Sequence, residues 1–303
     1  MYDITVIGAG VAGMTAAIYA LRANKKVLIL EGRAYGGQIL ETNQIDNYPA
    51  RPHISGPVLA KEIYSQLKEF APDFRYEVVE NVEKLGDIFE VTTDLGVYET
   101  KSVIIATGTN CKKLNLQNED LLTGKGISYC ATCDGELYRG KKVYVYGGGN
   151  TALYSALYLS NIARTVILVH RRNEFRGDSI LVDKLKTKAN VEFRLSTIIE
   201  SINPEEGILH SLTLKNVETN ELTTERATGL FVEIGREPDN SPFQFIVDCD
   251  ENGYIIADES GLTSCPGLFA AGDCRTKKLR QIITAGSDGA SAASSAIDFL
   301  NTR

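Results

Sequence analysis

The chain contains no apolar run approaching the about 18 residues that a membrane-spanning helix needs. It has no excess of basic charge and only three histidines. Each shortage closes a possibility. Lys and Arg number 32 against 39 Asp and Glu, and the net charge of −7 argues against a nucleic-acid surface or an anionic membrane as partner. Cysteine is sparse as well: six are present, and only Cys130 and Cys133 are closely spaced. A structural zinc centre wants four ligands, commonly as two such pairs, and no histidine is near this one. The opening "MYDITVIGAG" enters a strand-like run without a basic leader or cleavage site, so the chain is read as cytoplasmic, where thiols are mostly kept reduced and a disulfide framework is not expected. The pair in "YCATCDG" (129–135) can therefore grip a metal, staple a turn or carry electrons, with redox chemistry favoured.

What is present is a globular chain of 303 residues, enough for two domains, with 43% hydrophobic and 23% charged residues. It repeats itself. A short apolar strand from Ile4 to Ile7 leads into Gly8, Gly10 and Gly13, a small-residue helix, and the strand Val27–Leu30 ending on Glu31. The strand Val143–Tyr146 leads into Gly147, Gly149 and Ala152, a helix, and the strand Val166–Val169 followed by His170. Gly8 stands 23 residues before Glu31, and Gly147 stands 23 before His170. One G-x-G-x-x-G is weak evidence; two between strand and helix at equal offsets indicate two Rossmann-type units. In such a unit the first glycine allows the tight turn, the second lets backbone approach a pyrophosphate, and the third position must be small for the helix to pack. The pyrophosphate rests on the helix N-terminus. The strand ends differ. Glu31 suits a ribose diol and repels a 2′-phosphate, whereas His170, Arg171, Arg172 and Arg176 supply positive charge suited to the 2′-phosphate of NADP(H).

Between and after these units the sequence predicts two small antiparallel layers, "FRYEVV", "IFEVTTD", "VYETKSVIIATGT" and "VEFRLST", "LHSLTLKNV", "ELTTERATGLFVEIG". Strand-like "NGYIIAD" and "GLFAAGD" and a helix from about Arg280 to Leu300 follow, and complete the first domain. The expected architecture is α/β, two Rossmann-like three-layer ββα domains with the second inserted in the first. Residues 1–112 and 240–303 form one domain and 113–239 the other.

The ordered set "GAGVAG", "GGQILETNQIDNYP", "CATCDG", "GGGNTA", "HRRNEFR", "AAGDC" and "LRQIITAGSDGASAA" resembles the low-molecular-weight NADPH-dependent thioredoxin reductases over nearly the whole length. The resemblance implies that Gly8, Gly10, Gly13 and Glu31 hold the adenylate end of FAD. It places Gly36, Gly37, Gln38, Asn47, Thr107, Gly108, Asp273, Arg280, Gln281 and Ile282 around the rest of that cofactor. It implies NADPH at Gly149, Asn150, Thr151, Ala152, His170, Arg171, Arg172 and Arg176. Electrons then pass from NADPH through FAD to the Cys130–Cys133 pair and on to thioredoxin. Cys133 faces the flavin, Cys130 attacks thioredoxin, and Asp134 protonates the departing thiolate. A homodimer and a rotating inserted domain are further implications of the family, and Cys111, Cys249, Cys265 and Cys274 are left as packing residues.

Leu153-Tyr154-Ser155 stands where the family has two consecutive glutamates, in a position the resemblance puts on the nicotinamide side. "DGELY" lacks the usual aromatic pair, and "YPARP" replaces the usual Pro-Gly. Two rival readings remain: an oxidoreductase of the same fold with another donor, such as ferredoxin, or another acceptor, and a non-catalytic nucleotide- or zinc-binding module.

Overall fold

The computed structural model describes residues 1–42, 45 and 47–302. The chain divides into two compact units, Met1–Asn110 with Glu237–Arg303, and Cys111–Arg236. The passages thus fall at 110/111 and 236/237, against 112/113 and 239/240 expected from the sequence.

The first unit is built on parallel strands in the order Asp73–Arg75, Val27–Leu30, Tyr2–Ile7, Val97–Ile105 and Leu268–Ala270. A parallel sheet of this kind is covered on both faces, so its strands read as continuous apolar runs, and all four residues of Val27–Leu30 are buried. Alternation assigns the faces. Ile4, Val6, Ile29 and Ile104 pack with the helices Val11–Arg22 and Ile282–Asn301. Ile7, Leu28, Leu30 and Ile105 pack with Val82, Phe89 and Val91 of an antiparallel layer on the other face. Each fully buried aliphatic side chain of this kind contributes about 1.5–3 kcal/mol. The two helices approach closely because their contact residues are small: a Cβ on Gly289 would lie 2.1 Å from the Ala12 carbonyl oxygen.

Val97–Ile105 serves both layers. Its first half pairs antiparallel with Ile88–Thr93, and its second half pairs parallel with Tyr2–Ile7. Burial changes along it from alternating to continuous at the changeover.

The second unit repeats the plan. Its parallel sheet runs Val191–Arg194, Thr165–Val169, Lys142–Gly147, Gly229–Glu233, Ile127–Ser128. The helices Asn150–Ser160 and Ser179–Lys186 cover one face, and the antiparallel strands Thr197–Glu205, Ile208–Asn216 and Leu222–Arg226 the other. Both units are therefore meander, parallel sheet and helices, the expected three layers.

Strand membership departs from expectation in four places. "FRYEVV" and "VEFRLST" do not open the antiparallel layers; Asp73–Arg75 and Val191–Arg194 are edge strands of the parallel sheets. The layers begin instead with Val79–Leu85 and Thr197–Glu205, whose charged outward positions hid their alternation. "ELTTERATGLFVEIG" is two strands, broken between Arg226 and Gly229. "NGYIIAD" forms only isolated bridges at Ile255. The last helix starts at Ile282, because Gln281 caps it through a reciprocal capping box with Thr284.

Candidate active site

In both units the glycine turn is shaped by what lies against it. A Cβ on Gly8, whose φ is +99°, would lie 2.4 Å from the Ala106 carbonyl oxygen, and one on Gly147 would lie 2.2 Å from that of Glu233. The end of the neighbouring strand fills the space of the absent side chain. A Cβ on Gly13 would come within 1.9 Å of the Gly8 carbonyl oxygen, whereas Ala152 fits fully buried. The middle glycines are different: a Cβ on Gly10 or Gly149 would meet nothing within 4 Å. Each is the N-cap of a helix of 12 or 11 residues, with no side-chain cap and no acidic residue in its first turn. Open backbone beside uncapped N–H groups at a positive helix end is what a pyrophosphate needs. The residues present fit a dinucleotide at both places.

Contacts gather the other residues expected to hold FAD. The Gly36 N–H donates to the Ala9 carbonyl (2.7 Å), and a Cβ on Gly37, itself left-handed at φ +58°, would lie 3.3 Å from the Cα of Gly10. Gln38 Nε2 donates to Thr109 Oγ1 at 2.7 Å, joining this loop to the segment Thr107-Gly108-Thr109. Gly272, next to Asp273, packs so that a Cβ would lie 2.9 Å from that of Ala12. The Arg280 guanidinium stacks 4.0 Å over the Tyr254 ring and points Nε at the Asp273 carbonyl (3.4 Å). Asn47 Nδ2 donates to Gln281 Oε1 at 2.8 Å, and Ile282 packs with Val11. Asn43, Gln44 and Asp46 of the quoted motif lie outside the described residues.

Glu31 is tied to its own turn. Its carboxylate accepts from the Ala9 N–H (2.7 Å) and from the Arg33 N–H (2.8 Å). At the matching place in the second unit, the His170 imidazole lies against Gly148: a Cβ there would be 2.2–2.4 Å from three ring atoms. The ring also stacks on Phe175 at 5.5 Å. His170 is 4% exposed, and burial, then the nearby Arg176 guanidinium, hold it below the ordinary histidine pKa. Both effects work against the positive charge expected of His170. Its Nε2 has no hydrogen-bond partner among the described residues.

The charge lies with Arg171, Arg172 and Arg176, all exposed and with no carboxylate in ion-pair contact among the described residues. Their loop folds back on the turn, the Arg176 and Gly177 N–H groups both donating to the Gly148 carbonyl (2.7 and 3.1 Å). Asn150 and Asp178 exchange hydrogen bonds of 2.7 and 3.1 Å, and Thr151 is exposed beside them. Of the departing trio, Leu153 is in the core and Ser155 is buried, donating to Glu233 Oε1 at 2.7 Å; only Tyr154 is exposed. Helical geometry thus leaves one of the three able to meet a ligand directly.

Cys130 and Cys133 form a disulfide with Cα atoms 5.3 Å apart. Cys130 is the N-cap of the helical turn Ala131–Asp134, and Cys133 lies within that turn. Cys130 Sγ accepts from the Cys133 N–H (3.2 Å) and lies 3.4 Å from Thr132 Oγ1. Asp134 is half-buried and accepts from the Ser128 hydroxyl at 2.7 Å. The other four cysteines are in no disulfide, and burial pushes the thiols of Cys249, Cys265 and Cys274 up. Among the described residues, no group of three or more His, Cys, Asp or Glu is arranged to hold a metal, and no helix is long and apolar enough to cross a membrane.

Sequence reasoning missed two supporting clusters. Buried Arg275 and Lys277 converge on Asp288, with bonds of 2.9 and 2.7 Å, and Asp288 also accepts from the Gly272 N–H at 3.0 Å. Burial by itself would raise the Asp288 pKa, but these cations outweigh it and hold the carboxyl below its ordinary value. Buried Glu119 accepts from the Leu114 and Asn115 N–H groups and from the Tyr129 hydroxyl at 2.5 Å, anchoring the approach to Cys130. Charged residues inside apolar company were the available signal, "AAGDCRTK" and "GSDGA", but their partners are set only by the fold.

The family profile of the pyridine nucleotide-disulphide oxidoreductases matches residues 2–289. A thioredoxin reductase of Mycoplasma genitalium is 43% identical over 295 residues, covering 96% of this chain and 93% of that protein. The structure of Lactococcus lactis thioredoxin reductase superposes with a TM-score of 0.94 at 37% identity, covering 100% of both chains. That of T. acidophilum thioredoxin reductase gives 0.89 at 32% identity, covering 98% of each.

Proposed function

We propose, from the premise that the chain belongs to the pyridine nucleotide-disulphide oxidoreductases and among them to the thioredoxin reductases, that it passes electrons from NADPH through FAD to the Cys130–Cys133 disulfide and on to thioredoxin. The observation that carries this reading is the disulfide itself, preformed in the unit that bears the second glycine turn. The first unit, with Glu31 at its turn, is the FAD-binding domain; the second, with its three arginines, is the NADPH-binding domain. A flavin bound in the first cradle supplies the conversion of a hydride into an electron pair for the disulfide.

The chain's own residues supply the rest. Gly10 and Gly149 admit the two pyrophosphates, and Arg171, Arg172 and Arg176 offer forked donors to a 2′-phosphate. Two electrons and two protons convert the disulfide to a dithiol. Cys130 gives its proton to the Asp134 carboxylate and attacks one sulfur of thioredoxin's disulfide, forming a mixed disulfide and releasing a thiolate that takes this proton from Asp134. Cys133 attacks Cys130 Sγ, restoring the internal disulfide, and its proton passes to the second thiolate expelled, so that thioredoxin leaves as the dithiol. The backbone N–H aimed at Cys130 Sγ supports Cys130 as the attacking thiolate. A homodimer accompanies this reading by analogy with the family.

Turnover of thioredoxin by the FAD-loaded protein tests it, with NADPH, NADH and reduced ferredoxin as alternative donors. NADPH is expected to serve. Cys130→Ser and Cys133→Ser are each expected to bind FAD and lose turnover. Full activity in either variant overturns the dithiol mechanism, and turnover with reduced ferredoxin alone replaces the donor.

A further inference from the structure

Ser128 ends the strand Ile127–Ser128 and is 4% exposed, yet the reaction as proposed makes no use of it. Its hydroxyl sits at a junction. It accepts from the Cys130 N–H at 3.0 Å, and it lies 2.7 Å from Asp134 Oδ2 and 3.2 Å from the Cys130 carbonyl oxygen. A hydroxyl has one proton to donate, and the shorter contact, to a carboxylate, is the stronger bond. The Asp134 N–H donates in turn to the Cys130 carbonyl at 3.2 Å. The hydroxyl and the turn's own backbone thus close a ring, which fixes Asp134 to the backbone of the residue whose sulfur it must serve. Asp134 is held by its carboxylate as well as by its main chain.

We propose that Ser128 is a positioning residue for thiol–disulfide exchange: its hydroxyl sets the Asp134 carboxylate relative to the Cys130–Cys133 pair, so that exchange with thioredoxin, but not reduction by NADPH, depends on it. The inference rests on the proposed roles of Asp134 and the cysteine pair. A serine that merely anchored the turn would matter for folding, and its loss would add to the loss of Asp134. A serine that acts through Asp134 has nothing left to do once the carboxylate is gone.

Ser128→Ala, Ser128→Thr, Asp134→Asn and the double variant Ser128→Ala/Asp134→Asn, each full-length and FAD-loaded, separate these cases. Two quantities are read on every one: the stopped-flow rate of flavin reduction by NADPH, and kcat and KM with thioredoxin. Ser128→Ala should lower kcat about tenfold, the scale of one hydrogen bond to a charged group, with KM little changed. Flavin reduction should keep its rate, Ser128→Thr should recover turnover by restoring the hydroxyl, and the double variant should be no slower than Asp134→Asn. Multiplying effects in the double variant overturn the inference, as does unchanged turnover in Ser128→Ala or an equal slowing of flavin reduction. Full turnover in Asp134→Asn instead removes the acid from the proposed function, and the inference with it.

Discussion

The two glycine turns tie the strand end to the same position of the turn by different chemistry. In the first, the Glu31 carboxylate reaches the N–H of Ala9, so a side chain at that position does no harm. In the second, the His170 ring lies on Gly148, and no side chain fits beneath it. The mechanical link is kept while a carboxylate is exchanged for a buried ring. The first unit leaves a carboxylate at its strand end, and the second buries an imidazole there and carries its cations on the loop behind. On the proposed function, specificity for the two nucleotides is thus separated from the turns that would hold their pyrophosphates.

That comparison breaks most severely if the middle glycines are interchangeable in effect. Gly10→Val and Gly149→Val both project into open space, at φ −71° and −96°, so both proteins should fold. Gly10→Val should purify without flavin, by its visible spectrum. Gly149→Val should be yellow but not reduced by NADPH. Flavin in the first variant, or normal reduction in the second, would contradict the division of the two units.

A second effect separates scaffold from specificity. Asp288→Ala strands Arg275 and Lys277 in the first unit and should cost about 3 kcal/mol of stability. Because the folded-state pKa of Asp288 is lowered, its contribution is complete above the ordinary Asp value of about 3.9 and fades as pH falls through the lowered one. Urea unfolding of both proteins from pH 7 to pH 3 should show the gap narrowing on the acid side. A constant gap would mean that Asp288 acts through packing alone.

The mildest change is Gly148→Ala. The added Cβ must displace the His170 ring and, with it, the loop carrying the arginines. NADP⁺ affinity, measured by calorimetry, should fall about tenfold, the scale of one lost charge-assisted bond. FAD content should stay normal, because the first turn is untouched. Unaltered NADP⁺ affinity would show that His170 does not set the loop.

The equal spacing of Gly8 to Glu31 and Gly147 to His170 made the two units legible, since the tight turn and the helix packing both demand small residues at fixed offsets. The apolar runs Val27–Leu30 and 143–145, buried throughout, were legible as strands of a covered parallel sheet. Val79–Leu85 and Thr197–Glu205 were not, because a strand with one charged face reads as loop until its partners are known. Nor could the sequence show that His170 is buried: its burial depends on Phe175 and on the bare Cα of Gly148, which meet it only in three dimensions. Ser128 and Asp134 are six residues apart, and their hydrogen bond follows from the turn at Cys130.

As proposed, the arginines of the second unit, placed by the buried His170, choose NADPH. Stopped-flow reduction of the bound flavin, with NADPH and NADH each varied, measures the choice directly in the wild type and in Arg171→Ala/Arg172→Ala. The wild type should favour NADPH, and the variant should lose about 100-fold or more in the second-order rate with NADPH while the rate with NADH stays nearly unchanged. Equal reduction of the wild type by both nucleotides, or a variant slowed alike with both, would contradict it.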